Sequence, residues 1–127
     1  MPFTNEFDPG TGRAVLRAEG AVDLEASLEA IGALTEDPRL LEGYAILVDM
    51  RLADYTPSLS DARKLTDLQG TTERLKRHPL AFVTATPAHF SAASLVAMLA
   101  TLKGATAKAF QHLDEATAWL AEKQGNA

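Results

Sequence analysis

Tyr44-Ala45-Ile46-Leu47-Val48-Asp49-Met50-Arg51 is the stretch that decides the fold. An apolar run this short, without alternation, reads as a strand buried on both faces of a parallel sheet. Asp49 and Arg51 then mark where the strand leaves the core. That puts polar groups at the carboxyl edge of the sheet, where α/β folds usually place their sites.

Upstream, residues 3–8 and 13–19 read as two strands joined at Pro9-Gly10-Thr11-Gly12, an antiparallel hairpin that Gly20 ends. Asp23 is placed to cap a helix over residues 24–35, with Leu24, Leu28, Ile31 and Leu34 on one face. Downstream of the central strand, residues 52–59 read as a loop. Ser60 caps a second helix, whose inward stripe is Ala62, Leu65, Leu68, Thr72 and Leu75. Gly70 weakens that helix, and His78-Pro79 ends it. Residues 80–85 form a third core strand, 89–103 a helix closed by Gly104, and 106–110 a short strand. Asp114 caps a last helix that packs Leu113, Ala116, Trp119 and Leu120 inward and frays from Gln124 onward.

The expected order is therefore ββαβαβαβα: an α/β fold with a mostly parallel sheet of four or five strands and about four helices. Three successive β-α-β crossovers make it parallel, and the opening hairpin adds an antiparallel edge. At 127 residues, the chain is read as one domain with one core. With no cysteine there are no disulfides and no thiolate-ligated metal, which fits a cytoplasmic location. The start has no basic-then-apolar pattern, so no secretory signal is expected, and no segment is apolar enough to cross a bilayer. A net charge of −5 argues against a non-specific nucleic-acid binder.

Three segments carry a resemblance: Ala45-Ile46-Leu47-Val48-Asp49-Met50-Arg51, Leu80-Ala81-Phe82-Val83-Thr84-Ala85, and the ending Ala109-Phe110-Gln111-His112-Leu113-Asp114-Glu115-Ala116-Thr117-Ala118-Trp119-Leu120. In these, and in its element order, the chain resembles the STAS superfamily, and within it the bacterial SpoIIAA-like group that is described as sharing the STAS and CRAL-TRIO fold. The resemblance implies no cofactor, and a role in protein interaction or small-ligand binding rather than catalysis. Regulatory members carry a phosphorylatable serine at the start of the helix after the central strand. Here that neighbourhood offers Ser58 and Ser60, without the Asp-Ser-Ser-Gly run of the family and with Asp61 opposing a phosphate. The plainer reading of Ser60 is a helix cap.

Two further groups stand out. Asp49, Arg51, Thr84, Thr86 and His89 gather at expected strand ends and suggest a polar cleft; the plainer reading is an ion pair beside capping residues. Residues 90–102 hold no charged side chain. Leu95, Met98, Leu99 and Leu102 form one face of that helix, and Ala93, Ala97, Ala100 and Gly104 another. An uncharged helix at the surface of a domain must be covered. Phe90, Ala93, Val96, Ala97 and Ala100 are accordingly the candidate face, either for a homodimer or for a small apolar or lipid-like ligand beside the helix. A lone histidine gives no metal site, and no nucleophile is paired with a base at motif spacing. The expected function is a non-catalytic interaction or regulatory module, with ligand binding as the alternative.

Overall fold

The chain folds as a five-stranded mixed sheet in the spatial order β1-β2-β3-β4-β5. A computed structural model describes residues 2–67 and 73–125. The strands are β1 (Phe3–Asp8), β2 (Arg13–Ala21), β3 (Ala45–Asp54), β4 (Leu80–Val83) and β5 (Ala107–Phe110). The helices with full bounds are α1 (Leu24–Glu36), α2 (Leu59–Thr66), α3 (Pro87–Leu102) and α4 (Leu113–Gly125), and residues 73–75 are also helical. β1 runs antiparallel to β2, and every other pairing is parallel. This is the α/β layout that the sequence implies. Among the described residues, no helix is long and apolar enough to cross a membrane.

The central position of β3 explains its unbroken apolar run. Ala45, Ile46, Leu47 and Val48 are all buried, because helices cover both faces of the strand. Ile46 and Val48 face one layer with Ala14, Leu16, Leu34 and Leu80. Ala45 and Leu47 face the other with Ala81, Val83, Ala116 and Leu120 of β4 and α4. There Trp119 tilts against Phe110, ring centres 5.7 Å apart.

β3 does not leave the core at Asp49, as the sequence suggests. It continues to Asp54 alongside β2, which itself runs on to Ala21. The register moves from Arg17 opposite Asp49 to Glu19 opposite Leu52, so β3 carries one extra residue there. This β-bulge shifts the alternation of side chains. Ala53 follows Ile46, Val48 and Met50 onto one face, while Leu52 is left 67% exposed on the other. The carboxyl edge of the sheet at β3 is thus Asp54 and Tyr55.

Helix ends differ in detail from the sequence reading. Asp23 caps α1 as expected, its Oδ1 accepting from Ala26 N at 2.8 Å. Ser58, not Ser60, caps α2: its Oγ accepts from Asp61 N at 3.1 Å. Both serines precede the same apolar stripe, and only the backbone decides between them. α2 ends at Thr66; the expected stripe residues Leu68 and Thr72, with Gly70, lie outside the described residues. α4 begins at Leu113, so Asp114 belongs to its first turn rather than capping it. Gln124 is not frayed: its Nε2 donates to Gly12 O at 2.8 Å, with Thr11 O and Gly43 O at 3.3 and 3.4 Å. Gly104 ends α3 at φ +100, with its amide returned to Thr101 O at 3.0 Å, a conformation that glycine adopts without strain.

Candidate functional site

The alternation along β3 and β4 separates the residues of the expected polar cleft. Asp49 shares a face with Ala45 and Leu47, on the α4 side, whereas Thr84 shares a face with Leu80 and Phe82, on the side of α1, α2 and α3. One cleft does not contain all five residues.

Asp49 is 3% exposed and fully engaged. Arg51 grips it in a fork, Nε to Oδ1 at 2.9 Å and Nη2 to Oδ2 at 2.8 Å. The Arg51 backbone amide, displaced by the bulge, also donates to Oδ1 at 3.2 Å. Arg17 reaches Oδ2 from β2 at 3.4 Å and turns its other arm to Glu6 at 3.2 Å. The hydrogen bonds from Arg51 hold the Asp49 carboxyl below the usual carboxylate range, against the opposing effect of burial. This is a charge ladder across β1, β2 and β3 that braces the bulge. It leaves the carboxylate no free role as a base.

On the opposite face a cavity of about 110 Å³ lies between the sheet and α1, α2 and α3. Its floor is Leu16, Ile46, Val48, Met50, Leu80 and Phe82 from the strands. Ile31 and Leu34 of α1, Leu65 of α2, and Ala93, Val96 and Ala100 of α3 close it. The polar lining is sparse. Ser27, Tyr55, Thr84 and His89 stand at the carboxyl end of the sheet and the helix starts beside it, and Thr66 stands at the end of α2.

Most of these polar groups already have protein partners. Ser27 Oγ donates to Asp23 O at 2.8 Å, Thr66 Oγ1 to Ala62 O at 3.0 Å, and Thr84 Oγ1 to Phe110 O at 3.4 Å. Tyr55 Oη donates to Asp61 Oδ2 at 3.0 Å. Burial, then the Asp61 carboxylate, push the Tyr55 phenol well above its ordinary range, so it stays a neutral donor. His89 differs, because its Nε2 lies 3.9 Å from Asp54 Oδ1, beyond a hydrogen bond. Thr86 lies outside the cavity wall and caps α3, its Oγ1 accepting from His89 N at 3.2 Å.

The candidate face of α3 looks inward. Ala93, Val96 and Ala100 line the cavity, Ala97 is 4% exposed, and Phe90 is half-buried. On the other face Met98 is 53% and Leu102 76% exposed, whereas Leu95 and Leu99 are half-buried. The small-residue stripe is thus the side of α3 that turns towards the sheet. Ser58 and Ser60 are exposed at the start of α2. Sequence reasoning missed Tyr55 and Ser27 as lining residues. Tyr55 was hidden in an expected loop, and a serine inside an apolar helix face carries no distinct signal. His78, which with Pro79 ends the expected second helix, is buried with Nδ1 2.7 Å from Tyr44 O.

Among the described residues, no group of three or more carboxylates and imidazoles is placed to hold a metal ion. The fold and the cavity define an α/β domain with an apolar chamber under its third helix. No protein-family model and no curated protein matches the chain.

Proposed function

We propose that this chain is a non-catalytic module that binds a small apolar or amphipathic ligand in the cavity beneath α3. The cavity carries this reading. The described side chains leave an apolar space of about 110 Å³ unfilled, and unfilled apolar space in a core is destabilising. A purely structural core removes that cost with larger side chains, and here three of the facing α3 positions are Ala93, Val96 and Ala100. Apolar cavities of about 150 Å³ stay dry and take up benzene. This space is smaller, so it admits at most one ring or a short chain and no long acyl tail. The role agrees with the SpoIIAA-like resemblance, and the cysteine-free sequence fits a cytoplasmic setting.

Titration with benzene, followed by backbone amide shifts, tests the reading. Shifts are expected at Ile46, Val96 and Ala100, and Ala100→Leu, which fills the space, should abolish them while the fold is retained. Benzene leaving these amides unmoved in the wild-type protein overturns the reading.

A second reading rests on a different observation. Met98 and Leu102 form an exposed apolar strip on α3, which supports self-association or docking of a protein partner. On this reading the module is a homodimer, and sedimentation of wild-type protein against Met98→Lys separates dimer from monomer.

A further inference from the structure

Thr84 interrupts an apolar wall. Leu80 and Phe82 of β4 line the cavity, and Thr84 continues that face one step past the end of the strand. β3 lines the same space with Ile46, Val48 and Met50. Thr84 is 2% exposed, so its hydroxyl is shut away from bulk water. Valine has the same branched shape and would line this wall with no polar group to satisfy.

The Thr84 hydroxyl is also held more loosely than its neighbours in the lining. Ser27 Oγ, Tyr55 Oη and Thr66 Oγ1 donate at 2.8, 3.0 and 3.0 Å. Thr84 Oγ1 reaches Phe110 O at 3.4 Å, past the roughly 3.0 Å limit of a good O–H···O bond. That carbonyl already accepts from the Thr84 amide at 3.0 Å. The amide bond carries the pairing of β4 with β5 one residue beyond Val83, so the backbone does not need the hydroxyl. A hydroxyl has one hydrogen and two acceptor sites. Here the hydrogen is turned to Phe110 O, and among the described residues none donates to Oγ1.

Building on the reading of the cavity as a ligand site, we propose that Thr84 is its recognition group, and that the ligand is a compact ring or short chain carrying one N–H or O–H donor. Oγ1 accepts that donor and keeps its own hydrogen turned to Phe110 O. A ligand that brings only an acceptor must instead draw this hydrogen away. One net hydrogen bond gives the donor-bearing ligand roughly a two- to tenfold advantage over an acceptor-bearing ligand of the same size.

Pyrrole and furan test the proposal. They are rings of nearly one size, smaller than benzene, with an N–H donor in the first and an ether oxygen in the second. The hydrated N–H makes pyrrole costlier to remove from water, so an apolar space without a matching group takes furan better. Dissociation constants are read from the amide shifts of Ile46, Val96 and Ala100 on titration. Wild-type protein should bind pyrrole about two- to tenfold more tightly than furan. Thr84→Val should remove that preference with benzene uptake unchanged, and Thr84→Ser, which keeps the hydroxyl, should retain it. A threonine with a purely structural role would change stability in these variants but not the ranking of the two rings. Furan binding as tightly as pyrrole in the wild type, a preference that Thr84→Val leaves intact, or both rings failing where benzene binds overturns recognition by Thr84 while the cavity reading stands. Failure of pyrrole, furan and benzene alike overturns both.

Discussion

At the scale of single residues, Asp49 shows how a buried charge is made tolerable. Its carboxylate accepts from the Arg51 amide freed by the bulge and from the guanidinium groups of Arg51 and Arg17. Asp49→Asn keeps the shape but removes the charge-assisted bonds, and should cost about 1.5–3 kcal/mol in urea denaturation. The sign of its pH dependence follows from the lowered carboxyl. Its contribution is complete above the unfolded carboxyl range and is lost as pH falls below about 4, through the lower folded value. Wild type should therefore lose stability on acidification more steeply than Asp49→Asn. Ser58 offers a simpler case: Ser58→Ala should cost about 1 kcal/mol in thermal unfolding, whereas Ser60→Ala should cost almost nothing. Neither role was legible in the sequence. A bulge leaves no mark in composition, and two serines two residues apart are equal candidates until the backbone dihedrals are known.

At the scale of elements, the core strands and the last helix were readable because their burial is dictated by periodicity. Ala45 to Val48 are buried as an unbroken run, and Ala116, Trp119 and Leu120 pack as their spacing requires. α3 was legible as a helix but not in its orientation. An all-apolar helix has almost no preferred face, so the sequence could not say whether the alanine or the leucine side turns inward. The structure turns Ala97 in and Met98 out. Ala97→Glu should therefore unfold the protein or destabilise it by about 3–5 kcal/mol, since the new charge has no buried partner. Met98→Glu should leave the melting temperature nearly unchanged. Circular dichroism melts of the two variants check the orientation directly.

At the scale of the whole molecule, sequence-distant segments meet in a few closing contacts. Gln124 draws the end of α4 onto the β1–β2 turn and the residue before Tyr44, more than a hundred positions from the turn it grips. Gln124→Ala should cost about 0.5–1.5 kcal/mol. It should also speed amide exchange in the last turn of α4 relative to the rest of that helix, as hydrogen exchange with mass spectrometry will show. The order of elements could be read from the chain because each strand and helix signals locally. The cavity could not, because an unfilled space is defined by residues from four strands and three helices together, and no single stretch encodes it.

The additional residue in β3 has a bearing on that space. Had the pleat alternated undisturbed after Met50, Leu52 would turn inward and Ala53 outward, and a leucine would occupy the room that an alanine leaves. The interior is hollow partly because one position of the strand is counted twice against its neighbour. Straightening β3 with every residue kept would plug the chamber from within, whereas deleting the extra residue would restore the pleat with Ala53 still turned inward.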